Sequence, residues 1–448
     1  MDPIVRLGWW RQQWFVAQLV LAFGTIISAP ATLAQTLPEV LEMAYRNSAQ
    51  IQAARTQLMI AGDEIIRAEA GLAPTFGIES QIQHRENNQT RSQPGHNSSL
   101  MTGGVYLTGR ILLYDGGVQR LAIGQSGLRL GIAESQLEST IHQVLLDAIV
   151  AYHEVIKAEG FLSLARNSLA VLEEEMEAAR NRFRLGAIAR TDISFVESRL
   201  ATARGDVQLR EGELEIAREQ FNFVVGSDPG RLATESSFPT LPKSLDAAIE
   251  MAGGSSPAIA IARTEVEIAE ADHERAERGL KTPRITLGGR TGAESQFKSR
   301  GNTTRTGTID ITGNFTLSNG GAGQAMVRQA AAAINRTRMI LRHQSNIVRQ
   351  RVTNAWVRID IARSDVATAR EQVKHTELAF NGTRAEAVLG ARSTLDVLDA
   401  EQDYLQALTN QITAENNQAI AIYRLFGEIG ILTPDFLGLD VDSDSAAR

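Results

Sequence analysis

Ile309-Asp-Ile-Thr-Gly-Asn-Phe-Thr-Leu-Ser-Asn-Gly-Gly321 runs directly into a 67-residue helical pattern, Ala322 to Val388, and this junction contains the change of period that decides the fold. Up to Leu317 the apolar residues fall on every second position: Ile309, Ile311, Phe315 and Leu317 on one face, Asp310, Thr312, Asn314 and Thr316 on the other. Period two with a single apolar face is the mark of a half-buried strand. Gly320 and Gly321 end the strand, because glycine tolerates a sharp strand-to-helix turn. Beyond them Val352, Ile359, Val366, Val373 and Phe380 recur every seven residues, the spacing of a left-handed coiled-coil seam. At 1.5 Å per residue such a helix is on the order of 100 Å long. Ordinary helices are several-fold shorter, so it belongs to an extended bundle.

The same succession occurs earlier in the chain. Val105, Leu107, Ile111 and Leu113 share a face, Tyr114-Asp-Gly-Gly117 ends the strand with Gly116 and Gly117, and a long helical pattern follows over 118–184. Further landmarks repeat in the same order. Leu37-Pro-Glu-Val-Leu-Glu-Met-Ala44 is echoed by Leu245-Asp-Ala-Ala-Ile-Glu-Met-Ala252, Leu185-Gly-Ala187 by Leu389-Gly-Ala391, and Asp192 by Asp396. The chain is therefore read as a duplication, with repeat 1 over 35–244, repeat 2 over 245–438 and a tail over 439–448.

Each repeat is expected to run helix, two strands, long helix, turn, shorter return helix. The first helix is predicted over 37–72, with Pro74 and Pro283 closing the helices before the strands, since proline cannot continue the hydrogen-bond ladder. Strands are predicted near 75–84, 99–113, 284–296 and 303–317, joined by polar loops at 85–97 and 297–302. Gly186 and Gly390 form tight turns after the long helices 118–184 and 322–388. Return helices follow over 190–226 and 394–428, with heptads at Ile193, Leu200, Val207, Leu214 and Phe221, and at Leu398, Leu405, Ile412, Ala419 and Phe426. The strands have about the length that a tilted strand needs to cross hydrocarbon, roughly 9–11 residues. Four strands cannot close a barrel, and open edges are forbidden in lipid. Oligomerisation is required, and three copies would supply twelve strands.

Composition narrows the function. The 448-residue chain has a formal net charge of -7, whereas nucleic-acid binding needs a basic footprint. It has no cysteine, which excludes disulfides, zinc ribbons and a thiol nucleophile. The seven histidines show no ligand spacing, and no GxxxxGK[ST] stretch is present, so neither a metal site nor a nucleotide cofactor is expected. Residues 1–34 read as a signal peptide. Arg6 and Arg11 precede a short apolar run from Phe15 to Ile27, and Thr32-Leu-Ala34 offers small residues for cleavage before Gln35. No later stretch of 18 apolar residues follows, which leaves an exported soluble protein or a β-barrel. Asn88-Gln-Thr and Asn302-Thr-Thr fit glycosylation sequons and are read as chance in polar loops.

Arg182-Phe-Arg-Leu-Gly-Ala-Ile-Ala-Arg-Thr-Asp192, Leu389-Gly-Ala-Arg-Ser-Thr-Leu-Asp-Val-Leu-Asp-Ala-Glu-Gln-Asp403 and Tyr114-Asp-Gly-Gly117 resemble the two tip segments and the strand-to-helix junction of the TolC family, especially its type I secretion branch. The resemblance covers almost the whole mature chain. It implies a homotrimeric channel-tunnel in the outer membrane that reaches into the periplasm. It implies a twelve-stranded β-barrel in lipid, with a periplasmic α-helical barrel below it. It further implies an adaptor protein docking at the tips and an inner-membrane ABC or resistance-nodulation-division pump. It makes Asp396 and Asp399 an acidic ring at the periplasmic entrance, and Arg392, Thr191 and Asp192 a latch between neighbouring coiled coils. A family tyrosine that assists the latch falls at Ala387 here.

On the residues alone a second reading of the acids stays open. Asp396 and Asp399 lie three apart on one helical face, and acids near a helix start complement its dipole, with Ser393 or Thr394 as cap. Three function classes compete. A passive exit duct for a tripartite secretion or multidrug efflux system accounts for leader, strands, long helices and duplication together. A non-channel periplasmic coiled-coil structural or adaptor protein accounts for the helices alone. A secreted hydrolase needs a convergent catalytic set, and the sequence offers none, so no enzyme is expected.

Overall fold

A computed structural model describes residues 34–87, 98–233, 238–297 and 303–439. Residues 1–33 of the 1–34 leader, the loop residues 88–97 and 298–302 with both sequons' asparagines, residues 234–237, and the 439–448 tail from 440 onward lie outside the described residues.

Repeat 1 contributes α1 (Leu37–Asn47), α2 (Ala49–Glu69), β1 (Thr75–Asn87), β2 (Ser98–Tyr114), α3 (Val118–Arg184) and α4 (Arg190–Val225). Repeat 2 contributes α5 (Leu245–Ser255), α6 (Pro257–Lys281), β3 (Arg284–Gln296), β4 (Thr303–Asn314), α7 (Ala322–Val388) and α8 (Thr394–Ile429). The strands form one antiparallel sheet in the order β1-β2-β3-β4, so the two repeats meet at the β2–β3 pairing.

Three extents differ from the sequence pattern. β1 continues to Asn87, through the first residues of the expected 85–97 loop, because Arg85 to Asn87 pair with Leu100 to Ser98 of β2. The single helix expected over 37–72 is broken at Ser48, whose backbone is extended (φ -64°, ψ 116°) and whose Oγ accepts a hydrogen bond from the Ile51 N–H at 3.3 Å. A capping serine thus starts a new helix where periodicity alone runs straight through. Repeat 2 breaks at the same place, at Ser256, with Pro257 opening α6. The strand expected to reach residue 317 stops at Asn314, because Asn314 pairs with Arg284, the first residue of β3, and Phe315 to Leu317 have no partner strand.

The core lies where α1, the middle of α3 and the end of α4 meet the end of α8, which packs in turn on α7. Tyr152, Phe221, Phe426, Leu41, Ile51 and Leu145 are fully buried there. The heptad positions Val207, Leu214 and Phe221 of α4, Val352, Ile359 and Val366 of α7, and Leu398, Ala419 and Phe426 of α8 are buried. Each long helix thus pairs with its own return helix as a coiled-coil hairpin. No helix among the described residues is long and apolar enough to cross a membrane.

Candidate functional site

The strand-to-helix junctions set the direction of the long helices. Gly116 and Gly117 adopt φ of 70° and 82°, and a Cβ on Gly116 would lie 2.3 Å from the Thr282 hydroxyl oxygen, so only glycine fits. Asp115 accepts from the N–H groups of Gly117 (2.9 Å) and Gln119 (2.7 Å), capping α3. Gly320 and Gly321 repeat the turn at φ 64° and 90°, with Asn319 accepting from the Gly323 N–H at 3.1 Å.

The register assigns the two faces of the sheet. Ile78 faces Leu107, Leu287 faces Ile311 and Gly289 faces Ile309, so Phe76, Ile78, Ile82, Val105, Leu107, Ile309 and Ile311 share one face. All seven are exposed within the single chain. The opposite face is polar. There the Arg290 guanidinium stacks 3.5 Å from the centre of the Tyr106 ring, the Tyr106 hydroxyl donates to Glu294 at 2.9 Å, and Arg290 lies 3.8 Å from Glu79. A sheet with one contiguous apolar face and one charged face suits lipid on one side and water on the other.

Some 67 residues along α3 and α7, on the order of 100 Å from the sheet, the two hairpins turn. Gly186 and Gly390 take φ of 72° and 78°. At each turn the backbone N–H of the residue immediately before the return helix is free of the helix ladder and finds an acid three residues on. The Ala189 N–H donates to Asp192 at 3.0 Å, and the Ser393 N–H to Asp396 at 3.0 Å. In repeat 2 the box is complete, since Asp396 N–H donates to Ser393 Oγ at 3.2 Å; Ala189 has no oxygen to return the bond. The backbone N–H of Ser393, then its hydroxyl, hold the Asp396 carboxyl below the usual carboxylate range.

The remaining expected residues are dispersed within the chain. Arg392 donates through Nε to Glu386 at 2.9 Å, which leaves its terminal guanidinium nitrogens without a hydrogen bond among the described residues. Thr191 and Asp192 belong to the other hairpin and do not meet Arg392 in the same chain. Asp399 pairs across the hairpins with Arg199 of α4 at 3.1 Å, and Arg199 also donates to Gln402 at 3.4 Å.

Four residues beside this pair escape the sequence reading. Arg384 of α7 reaches Glu175 of α3 at 3.5 Å, and Arg182 reaches the other oxygen of Glu175 at 3.3 Å. Between the two inter-hairpin ion pairs lies Glu401, only 5% exposed. Burial, and then the nearby Glu175, push its pKa up to about 7, while Arg384 and Arg199 oppose the shift. A signal for Glu401 exists in the sequence: it sits three residues after Leu398 and four before Leu405, on the apolar face of α8.

Comparison with known proteins fits this geometry. The family described as "Outer membrane efflux protein" matches residues 40–227 and 248–430, one stretch per repeat. The outer membrane efflux protein BepC of Brucella suis is 28% identical over 430 residues, covering 95% of this chain and 92% of its own. The outer membrane protein TolC of Vibrio cholerae is 22% identical over 423 residues, covering 92% and 94%. A membrane protein of Pseudomonas aeruginosa of known crystal structure superposes with a TM-score of 0.77 at 18% identity, covering 88% of this chain and 90% of that one. The family match spans both repeats, the sheet has a lipid-suited face and the helices carry it far from the tips: the chain belongs to the outer membrane efflux protein family and is an efflux and secretion channel of the outer membrane.

Proposed function

We propose that three copies of the chain join edge to edge into a trimer, giving a twelve-stranded barrel from three four-stranded sheets, and that the duct is passive and gated at its hairpin tips. The observation that carries this reading is the sheet itself. It is apolar on one face, polar on the other, and unpaired within the chain at the outer edges of β1 and β4. Lipid tolerates no open edge, and four strands are about half the minimum for a closed barrel. Joining β4 of one copy to β1 of the next removes every edge.

In the closed duct the unengaged end of the Arg392 guanidinium, oriented by Glu386, bonds Thr191 or Asp192 on the neighbouring copy. Asp396 and Asp399 of three copies ring the entrance, and the Arg199 pair ties each Asp399 to the other hairpin of its own chain. The turns at Gly186 and Gly390 dock a periplasmic adaptor, which connects the duct to an inner-membrane ABC or resistance-nodulation-division pump. The chain supplies a path and the pump supplies the work, so no catalytic group is required. Cross-linking of intact outer membranes tests the assembly: a ladder ending at the trimer is expected, and one ending at the dimer contradicts it.

A further inference from the structure

Gln35 is held by one loop through both its backbone and its side chain. Its N–H donates to the Arg231 carbonyl at 2.7 Å, and its carbonyl accepts from the Ala233 N–H at 2.9 Å, forming a parallel bridge centred on Leu232. Its side-chain Oε1 accepts from the Gly230 N–H at 3.0 Å. A Cβ on Gly230 would lie 3.2 Å from Gln35 Cδ, so bare backbone packs directly against the carboxamide carbon. From the other side the fully buried Tyr152 directs its hydroxyl at the carbonyls of Gln35 and Ala233. The side-chain nitrogen Nε2, by contrast, has no hydrogen-bond partner among the described residues.

Residue 35 is also the residue that cleavage after Thr32-Leu-Ala34 leaves first, and the inference rests on that reading of the leader. Cleavage converts the Gln35 amide nitrogen into an α-amine, whose ordinary pKa of about 7.7–8.0 keeps it largely charged near neutrality. The site offers that charge one carbonyl acceptor, Arg231, in a half-buried position, and a poorly solvated ammonium is costly.

We propose that Gln35 is a modification site: once the leader is removed it cyclises to pyroglutamate, and the Gly230–Arg231 loop is the socket of the resulting lactam. The Nα lone pair attacks Cδ, the Nα–Cδ bond forms, the Cδ–Nε2 bond breaks, and a proton passes from Nα to the departing nitrogen, which leaves as ammonia. No oxidant or reductant enters, and ring closure within one residue has the advantage of an intramolecular reaction. The product is neutral and presents one N–H and one ring carbonyl side by side. Those are the two groups the loop already engages, through Arg231 O and Gly230 N, and the atom expelled is the one the fold does not hold.

The test is made on the full chain extracted from outer membranes. The protein is unfolded in denaturant and its free amines are dimethylated at once, so that a free N-terminus is labelled before it can cyclise during handling. Tandem mass spectrometry then reads the N-terminal peptide. The expected result is a peptide beginning at residue 35, lighter than glutamine by one ammonia and mostly without label. A peptide in which dimethylated Gln35 predominates, or a mature N-terminus at any other residue, overturns the proposal.

Discussion

Asp396 serves two readings with one side chain. Its carboxylate accepts the Ser393 N–H at 3.0 Å and so caps α8, which is the dipole-complementing role open from spacing alone. The same carboxyl stays exposed and ionised, so capping does not remove it from an entrance ring. Six clustered carboxylates attract cations, and carboxylate oxygens are hard ligands for multivalent ones. A trivalent cation added from the periplasmic side of a planar bilayer is therefore expected to block the channel, and Asp396→Asn with Asp399→Asn to relieve the block. Block of the double variant as tight as wild type leaves Asp396 to the cap and Asp399 to its Arg199 pair, and places the ring elsewhere. Arg392 is tested separately. A charge-assisted contact sheltered from water is stronger than a neutral hydrogen bond, so Arg392→Ser should raise single-channel conductance, and unchanged conductance means the entrance is held elsewhere.

Glu401 brings a pH dependence. Its carboxyl ordinarily ionises near 4.5 and in the fold near 7. Below about pH 4.5 it is protonated whether folded or not and contributes no difference. Between those values the folded chain binds a proton that the unfolded chain has lost, so stability falls as pH rises through this window. His142 runs the other way: burial lowers its pKa from 6.5 to about 4, and stability falls as pH drops through that range. Thermal unfolding of Glu401→Gln should lack the wild-type loss between about pH 4.5 and 7; identical pH profiles would remove Glu401 from the account. The spacing of Asp396 and Asp399 was legible in the sequence because it is local. Arg199 as partner of Asp399 was not, since the two meet across 200 residues of chain.

At the scale of elements, period identified what length and caps then adjusted. The seven-residue recurrence of Val207, Leu214 and Phe221 marks the seam that α4 buries against α3. A second seam, displaced by two residues, went unread: Phe195, Leu209, Ile216 and Phe223 recur in the same register and stay exposed, Ile216 at 71% and Phe223 at 81%. One apolar heptad stripe satisfies one partner helix, so a helix with two stripes contacts two. In the proposed trimer the second stripe would meet a neighbouring copy. Ile216→Asp combined with Phe223→Asp is expected to keep the helical circular dichroism of the chain while abolishing the cross-linked trimer. A trimer of undiminished yield would mean that this face is not an interface. The breaks at Ser48 and Ser256 were hidden for a different reason, since the side-chain cap at Ser48 and the proline after Ser256 act locally and leave the helical period on either side intact.

For the whole molecule, the duplication is what makes the sheet possible. Each repeat delivers one hairpin, and β2 and β3 join the hairpins across the repeats. The fold class was legible because alternation, glycine junctions and heptads each occur twice in the same order, and two weak patterns in register exceed one. The proposed assembly enters only as a requirement, because the four strands of one chain cannot close a barrel. Electron cryo-microscopy of the protein in lipid nanodiscs tests this most directly. The account predicts threefold particles with twelve strands within the lipid disc and a helical barrel projecting on the order of 100 Å from one side. Particles of any other symmetry, or a sheet lying outside the lipid, would contradict it.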